Sequence, residues 1–419
     1  MTPKILTTLK TYTRAEFGSD LFAGITVALV ALPLSIAIAI ASGAVPAVGF
    51  VTAIVAGFLI SALGGSRVQI GGPTGAFIVV VAGVIATHGY GGLVAASFMA
   101  GIVLIIAGLF RAGQLVRHVP EAVINGFTIG IAVIIATSQL PDLLGLAGPF
   151  PADFIEKLPA LFAALPDLNP ASLGIGLLTM VLIWGLRRAF PRLPGLIVAV
   201  ALTSALVQIL DLPVETIRSR FGELPRALPA PHLPALTLDS MRELLPSALV
   251  IAFLAGVESL LSAMVADRMI GGAHRSNAEL MAQGWANIGS SLFGGLPATG
   301  AIARTATNVR AGGKTPVAGI VHALTLLAIM MLAAPLAGYL ALPALSGLLL
   351  LTAWNMSEAH RWPEYLRGRR SDLVLLVITL VLTVVTDLTV AIGTGIALGL
   401  AIRLSRRGVE DPDWTPRDK

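Results

Sequence analysis

Two charged residues stand where charge is costly. Glu258 lies in the middle of the apolar run PSALVIAFLAGVESLLSAMVADRM, and Arg304 ends the stretch GGLPATGAIAR. A charge in an apolar span costs about 2.5–3.5 kcal/mol on insertion scales, so such residues mark function by default. Glu258 suits a group that takes up and releases a proton during a working cycle. The competing reading is a structural ion pair or a polar tether between helices. Ser262, one turn later on the same face, could ligate a cation or bond its own helix backbone four residues back. Arg304 stays protonated and suits neutralising a bound anion. A salt bridge to Glu258 accounts for it equally well.

Both charges sit near apolar segments that are poor helices. GGPTGAF, Gly71 to Phe77, is echoed by GGLPATGAI near residue 300, so that Pro73-Thr74-Gly75-Ala76 matches Ala298-Thr299-Gly300-Ala301. Backbone that leaves the helix at membrane depth is tolerated only inside protein or against a water-filled cavity. A half-helix starting there presents free N–H groups and a partial positive charge. Two such starts facing each other make an anion cradle without a basic side chain. The residues predicted to line it are Gln69, Thr74, Gly75, Ala76 and Phe77 on one side and Thr299, Gly300, Ala301, Ile302, Ala303 and Arg304 on the other. Glu258 and Ser262 form the predicted ion-coupling pair.

The elements that must hold these residues follow from composition. Of 419 residues, 56% are hydrophobic and 12% charged, against about 25% charged in soluble chains. Apolar runs of about 20 residues, enough to cross a bilayer, recur along the chain. The fold class is an all-α polytopic membrane protein. The net charge of +5 is spread through short loops with no basic stripe, which excludes a nucleic-acid partner. With no cysteine there is no disulfide and no thiolate metal site. No metal and no cofactor are expected. HExxH, P-loop and GxSxG motifs are absent, which argues against an enzyme.

Fourteen segments are predicted, at roughly 21–42, 46–64, 73–88, 91–110, 119–138, 172–188, 194–211, 245–266, 277–294, 301–312, 315–333, 336–354, 371–386 and 388–404. Lys and Arg concentrate in alternate connections, which places both termini in the cytoplasm by the positive-inside rule. No cleaved leader is visible, so the chain is expected in the cell inner membrane as a multi-pass protein. Seven plus seven segments with broken ones at matching positions read as inverted repeats. The expected organisation is 1–20 as a cytoplasmic amino-terminal segment with a short amphipathic helix, 21–211 as the first repeat and 212–244 as an external connection. The second repeat spans 245–405, and 406–419 is a cytoplasmic tail.

QIGGPTGAF, EAVINGFTIGIAVII, VESLLSAMVADRM, ANIGSSLFGGLPATGAIARTATNVRAGGKTPVAG and DLTVAIGTGIALG resemble the SulP (sulfate permease) family of anion transporters. Its animal relatives include prestin. The similarity runs in order through the whole membrane part, and RTATNVRAGGKTP is its most specific stretch. The resemblance implies core and gate domains, short strands before the half-helices of segments three and ten, substrate between them, a homodimer and an elevator-like movement. It also implies an acidic residue at the position of Glu258 and an Arg near substrate at that of Arg304. Two features depart from the pattern. Family members normally carry a cytoplasmic STAS domain, absent before Lys419. The first-span Pro33 is followed by Leu34 and Ser35, as in bacterial bicarbonate-type members, where many eukaryotic relatives have Gln.

The function expected is secondary active transport of a small anion, proton-coupled through Glu258, with a C4-dicarboxylate such as fumarate, sulfate or bicarbonate as substrate. A sodium-coupled bicarbonate symporter, a uracil- or purine-type permease and an anion channel are the alternatives. The permeases place carboxylates on both segments eight and ten, whereas segment ten here supplies Arg304 and no acid. Asn125, Asn287, His322 and Asp387 read as helix–helix hydrogen-bonding residues. Gly126/Gly130 and Gly395/Gly399 read as small-residue packing faces.

Overall fold

A computed structural model describes residues 2–114, 120–148, 150–151, 154–190, 194–386 and 388–405. Asp387 and the 406–419 tail lie outside the described residues. The first half comprises α1 (Lys4–Thr8), α2 (Arg14–Ala41), α3 (Pro46–Leu63), β1 (Gly71–Gly72), α4 (Ile78–Leu109), α5 (Glu121–Leu144), α6 (Phe154–Ala164), α7 (Pro170–Ala189) and α8 (Gly195–Ile209). After α9 (Ile217–Phe221) come α10 (Leu238–Ile270), α11 (Ser276–Leu292), β2 (Thr299–Gly300), α12 (Ile302–Arg310), α13 (Val317–Ala337), α14 (Leu342–Met356), α15 (Trp362–Arg367), α16 (Arg370–Val385) and α17 (Leu388–Ser405).

Local chemistry sets most boundaries. Thr13 and Glu16 form a capping box that starts α2 at Arg14, so the helix begins seven residues before the expected 21 and the amino-terminal segment is shorter than 1–20. Thr237 and Ser240 do the same for α10, which starts at Leu238 rather than 245. Such caps satisfy amides that would otherwise be orphaned. The span of α4 is two helices joined at Gly89, whose φ of 68° and ψ of 179° leave the helix and suit a glycine, so the break expected between segments three and four is present. Seven helices among the described residues are long and apolar enough to cross a membrane: α2, α3, the run Gly75–Leu109, α5, α7, α10 and α13. Helices α8, α11, α12, α14, α16 and α17 coincide with the remaining predicted segments.

The helices pack as two groups, each drawn from both halves of the chain. In one, α4 lies against α10 and α11, and α13 against α2 and α3, with α12 reaching α2 and α10. In the other, α5 packs on α14 and α16, α7 on α8 and α14, and α16 on α17. Small residues bring the backbones together, the usual solution where lipid gives no hydrophobic drive between helices. A Cβ at Gly101 of α4 would lie 2.7 Å from the Gly284 carbonyl oxygen of α11, and one at Gly284 would lie 2.6 Å from that of Gly101. Gly126 and Gly130 sit against Leu376 and Thr383 of α16, and Gly399 against Pro120, as expected of packing faces. The 212–244 connection is tied to the second group. Ile217 is buried, its N–H donates to the Leu340 carbonyl at 3.0 Å, and Arg220 pairs with Asp142 at 2.6 Å.

Gly284→Val is expected to overpack the α4–α11 contact. Its melting temperature in detergent should fall, with a loss of about 1–3 kcal/mol or more. A variant that melts with the wild type would mean that the two backbones are not in close contact.

Candidate functional site

The two broken segments meet. β1 and β2 form an antiparallel ladder of two residues each, with Gly71 opposite Gly300 and Gly72 opposite Thr299. The Ala301 N–H extends it, donating to the Ile70 carbonyl at 2.9 Å. A turn at Gly75–Phe77 then starts the helix of the first half, and α12 starts at Ile302 in the second. Ile302 and Ala303 are exposed and Ala76 partly so, while Thr74, Gly75, Phe77, Thr299, Gly300, Ala301 and Arg304 are buried. The open faces of both starts therefore carry small or aliphatic side chains, leaving the first-turn amides approachable. Across from Gly75, a Cβ would lie 3.3 Å from the Met356 sulfur of α14 and 3.5 Å from Ile135 of α5. The site thus lies where the two helix groups face each other.

Arg304 is 1% exposed and holds the first break together. Its Nη2 donates to the Pro73 carbonyl at 2.9 Å and to Ser35 Oγ at 3.1 Å, and its Nη1 to the Gly71 carbonyl at 3.4 Å. Gly72 makes room for it: φ is +149° there, and a Cβ would lie 2.1 Å from Nη1. Among the described residues Arg304 makes no ion pair within 4.0 Å, so the salt bridge to Glu258 entertained above is not formed. Carbonyls and the Ser35 hydroxyl hold the head group, and the Glu258 carboxylate acts on its charge only through space. Glu258, partly buried, accepts the Thr74 hydroxyl at 2.9 Å. That bond ties α10 to the start of the other half-helix.

Several predicted lining residues turn away from the opening. Gln69 donates to Ser259 Oγ at 2.9 Å and packs on Gly300, where a Cβ would meet its amide nitrogen at 1.5 Å. Thr299 donates to the Ala255 carbonyl at 2.8 Å. Ser262 is fully buried and bonds Thr305 Oγ1 at 3.2 Å, neither its own backbone nor the carboxylate. Phe77 is buried in the main apolar core. Asn287 braces the second break rather than another helix: Oδ1 accepts the Ala298 N–H and Nδ2 donates to the Ala298 carbonyl, both at 2.9 Å. Asn125 lines a 220 Å³ cavity between α5, α15 and α16.

Two buried carboxylates escaped the sequence reading. Glu279 is 0% exposed and takes four donors: the Gly65 and Ser66 N–H groups at 2.8 and 3.2 Å, Ser259 Oγ at 3.0 Å and Gln283 Nε2 at 2.8 Å. In sequence, SNAE looks like an ordinary helix-start acid, and nothing local reveals that it reaches across to the loop before β1. Asp20, also 0% exposed, accepts the Lys314 and Thr315 N–H groups at 2.7 and 3.1 Å, the Thr315 hydroxyl and Tyr12 Oη. Burial, with the Asp20 charge behind it, pushes the Tyr12 phenol up to about 12, so Tyr12 remains a donor to Asp20 at physiological pH.

Paired broken segments between two mixed groups of membrane helices define the class: a multi-pass membrane protein with a transporter fold. The sequence matches the Sulfate permease family over residues 17–379. The chain belongs to that family, whose members are transporters and not enzymes. The Bacillus subtilis (strain 168) protein YvdB is 44% identical over 373 residues, covering 88% of this chain and 70% of YvdB. The bicarbonate transporter BicA of Synechocystis is 33% identical over 341 residues, covering 78% of this chain and 59% of BicA. The chain therefore spans between about three fifths and seven tenths of the length of these relatives. The solved transmembrane domain of a cyanobacterial BicA superposes with a TM-score of 0.82 at 32% identity, covering 92% of this chain and 98% of that domain.

Glu279→Ala should strip four donors of their acceptor and destabilise the protein by more than about 2 kcal/mol. Thermal melting of the purified variant checks this. Glu279→Gln, which keeps part of the acceptor set, should lie between the two.

Proposed function

We propose that this protein is a secondary active transporter of small anions, and that the anion binds between the Thr74–Phe77 turn and the start of α12. The observation that carries this reading is the buried guanidinium of Arg304 behind two open helix starts, with no carboxylate within 4.0 Å of it among the described residues. A buried cation without a partner is costly. An anion drawn to the approachable amides lies in its field and offsets that cost, with little water to screen the attraction. Arg304 is occupied by carbonyls and Ser35, so it acts through its charge and by holding the Gly71–Pro73 backbone, while the amides make the contact and the Thr74 hydroxyl turns to the anion once Glu258 is protonated.

The two helix groups correspond to a core carrying the site (α2–α4 and α10–α13) and a gate (α5–α8, α14, α16 and α17). Transport is an elevator-like displacement of the core along the gate, with Met356 and Ile135 forming the wall the site slides past. Residues 14–209 and 238–405 are the two inverted repeats, and the working unit is a homodimer in the inner membrane with both termini cytoplasmic. Glu258 couples transport to protons. Its bond from Thr74 exists for the acceptor carboxylate, and protonation alters that bond at the moment substrate charge enters. Ser262, bonded to Thr305 at the core of α10 and α12, supports the helix pair rather than a sodium ion. Sulfate, named in the family, and bicarbonate, transported by BicA, are the first substrates to test, with fumarate as the dicarboxylate.

In proteoliposomes, anion uptake should rise as the outside is made acidic, because an inward proton gradient then drives symport. Glu258→Gln should abolish gradient-driven accumulation. Arg304→Ala should lower anion uptake by about tenfold or more. Sodium-driven uptake insensitive to pH would reassign Glu258 to a cation site, and uptake of uracil alone would overturn the anion reading.

A further inference from the structure

His322 of α13 is 0% exposed, and neither ring nitrogen has a hydrogen-bond partner. The expected polar contact to another helix is not made. Two more buried polar groups with an unmet atom lie near the same seam. Ser61 Oγ of α3 is unmet, and it faces Gly319 of α13, where a Cβ would lie 2.0 Å from it. Arg304 Nε is unmet as well. Beside His322 sits Gly57 of α3, a residue with no side chain. A Cβ at Gly57 would lie 3.6 Å from His322 Nδ1 and 3.2 Å from the Gly71 carbonyl oxygen. That carbonyl is the one Arg304 Nη1 reaches.

An orphaned buried polar atom costs about 1–3 kcal/mol, and a buried histidine with two of them is an expensive way to fill space. Buried waters are found where two or more such groups converge around a small opening. We propose that the slot beside Gly57 holds an ordered water that joins His322 Nδ1 to the Gly71 carbonyl, making His322 a positioning residue for Arg304. The water takes or gives one hydrogen bond at the imidazole, according to its tautomer, and donates one to the carbonyl. The Gly71 carbonyl is then held from both sides, by Arg304 and by the water. The guanidinium keeps its place behind the helix starts because the backbone it grips is fixed. Gly57 is glycine because any side chain would occupy the slot. The functional half of this inference rests on the anion site proposed above; the water itself does not.

Three variants test it: His322→Leu removes both nitrogens at similar volume, His322→Gln restores a donor and an acceptor, and Gly57→Ala fills the slot, its Cβ 3.2 Å from the Gly71 carbonyl oxygen. Melting without substrate reads the water alone. A water site predicts that His322→Leu melts below the wild type and that His322→Gln recovers part of the loss. A dry pocket predicts that His322→Leu melts at or above the wild type, which would overturn the proposal. Uptake kinetics read the positioning role. The KM for the transported anion should rise about fivefold in His322→Leu and Gly57→Ala, with kcat changed far less and His322→Gln close to the wild type. A lowered melting temperature with unchanged KM would overturn the positioning role. A wild type that carries no anion would contradict the proposed function, and the melting order would still decide on the water.

Discussion

Backbone that stops being helical inside a membrane protein must find its hydrogen bonds within the protein, and the whole site depends on how that is done here. The ladder of Gly71–Gly72 on Thr299–Gly300 pairs the two breaks with each other. Arg304 takes the Gly71 and Pro73 carbonyls of the first break, and Asn287 takes both polar groups of Ala298 in the second. Each break is thus satisfied by a side chain, and the first by a side chain from the other half of the chain. Neither half could form its broken segment alone without leaving several polar groups unpaired, at a cost of several kcal/mol in hydrocarbon.

The same logic extends outward through neutral donors and two carboxylates. Glu279 staples the Gly65–Ser66 loop to α10 and α11, and Asp20 staples the Lys314–Thr315 loop to the start of α2. Each carboxylate sits in one half and binds the loop flanking the broken segment of the other. Four donors apiece keep these charges without a cation. Arg304 stands in contrast, since its charge is met only by carbonyls and a hydroxyl. That positive charge lies beside the open helix starts, with the Glu258 carboxylate outside ion-pair distance and held by Thr74.

Much of this was readable in the sequence because hydrophobic length and helix breaking are local properties. The apolar runs, the interruption at GGPTGAF and the charges at Glu258 and Arg304 all stood out. The echo of PTGA in ATGA marks both helix starts, yet it misplaces the strands. The first strand is Gly71–Gly72, three residues ahead of the position matching Thr299–Gly300, so Thr74 is left free to meet Glu258 while Thr299 is spent on Ala255. Register of that kind is set by the partner strand, which no local pattern reveals. Gln69 and Ser262 looked like ligands because they are polar residues near a break; only the packing shows that their polar atoms face inward. Glu279 was missed for the opposite reason, since a helix-start acid is ordinary until its loop partner is known.

The most direct test of an anion seat between the helix starts is a structure of the protein saturated with whichever anion it transports, compared with the same protein lacking that anion. Density for the anion within hydrogen-bonding distance of the amides at Gly75–Ala76 and Ile302–Ala303, with Arg304 still on the Gly71 and Pro73 carbonyls, is the result predicted. An anion found elsewhere, or one bound only after Arg304 leaves those carbonyls to pair with it directly, would contradict the arrangement described here.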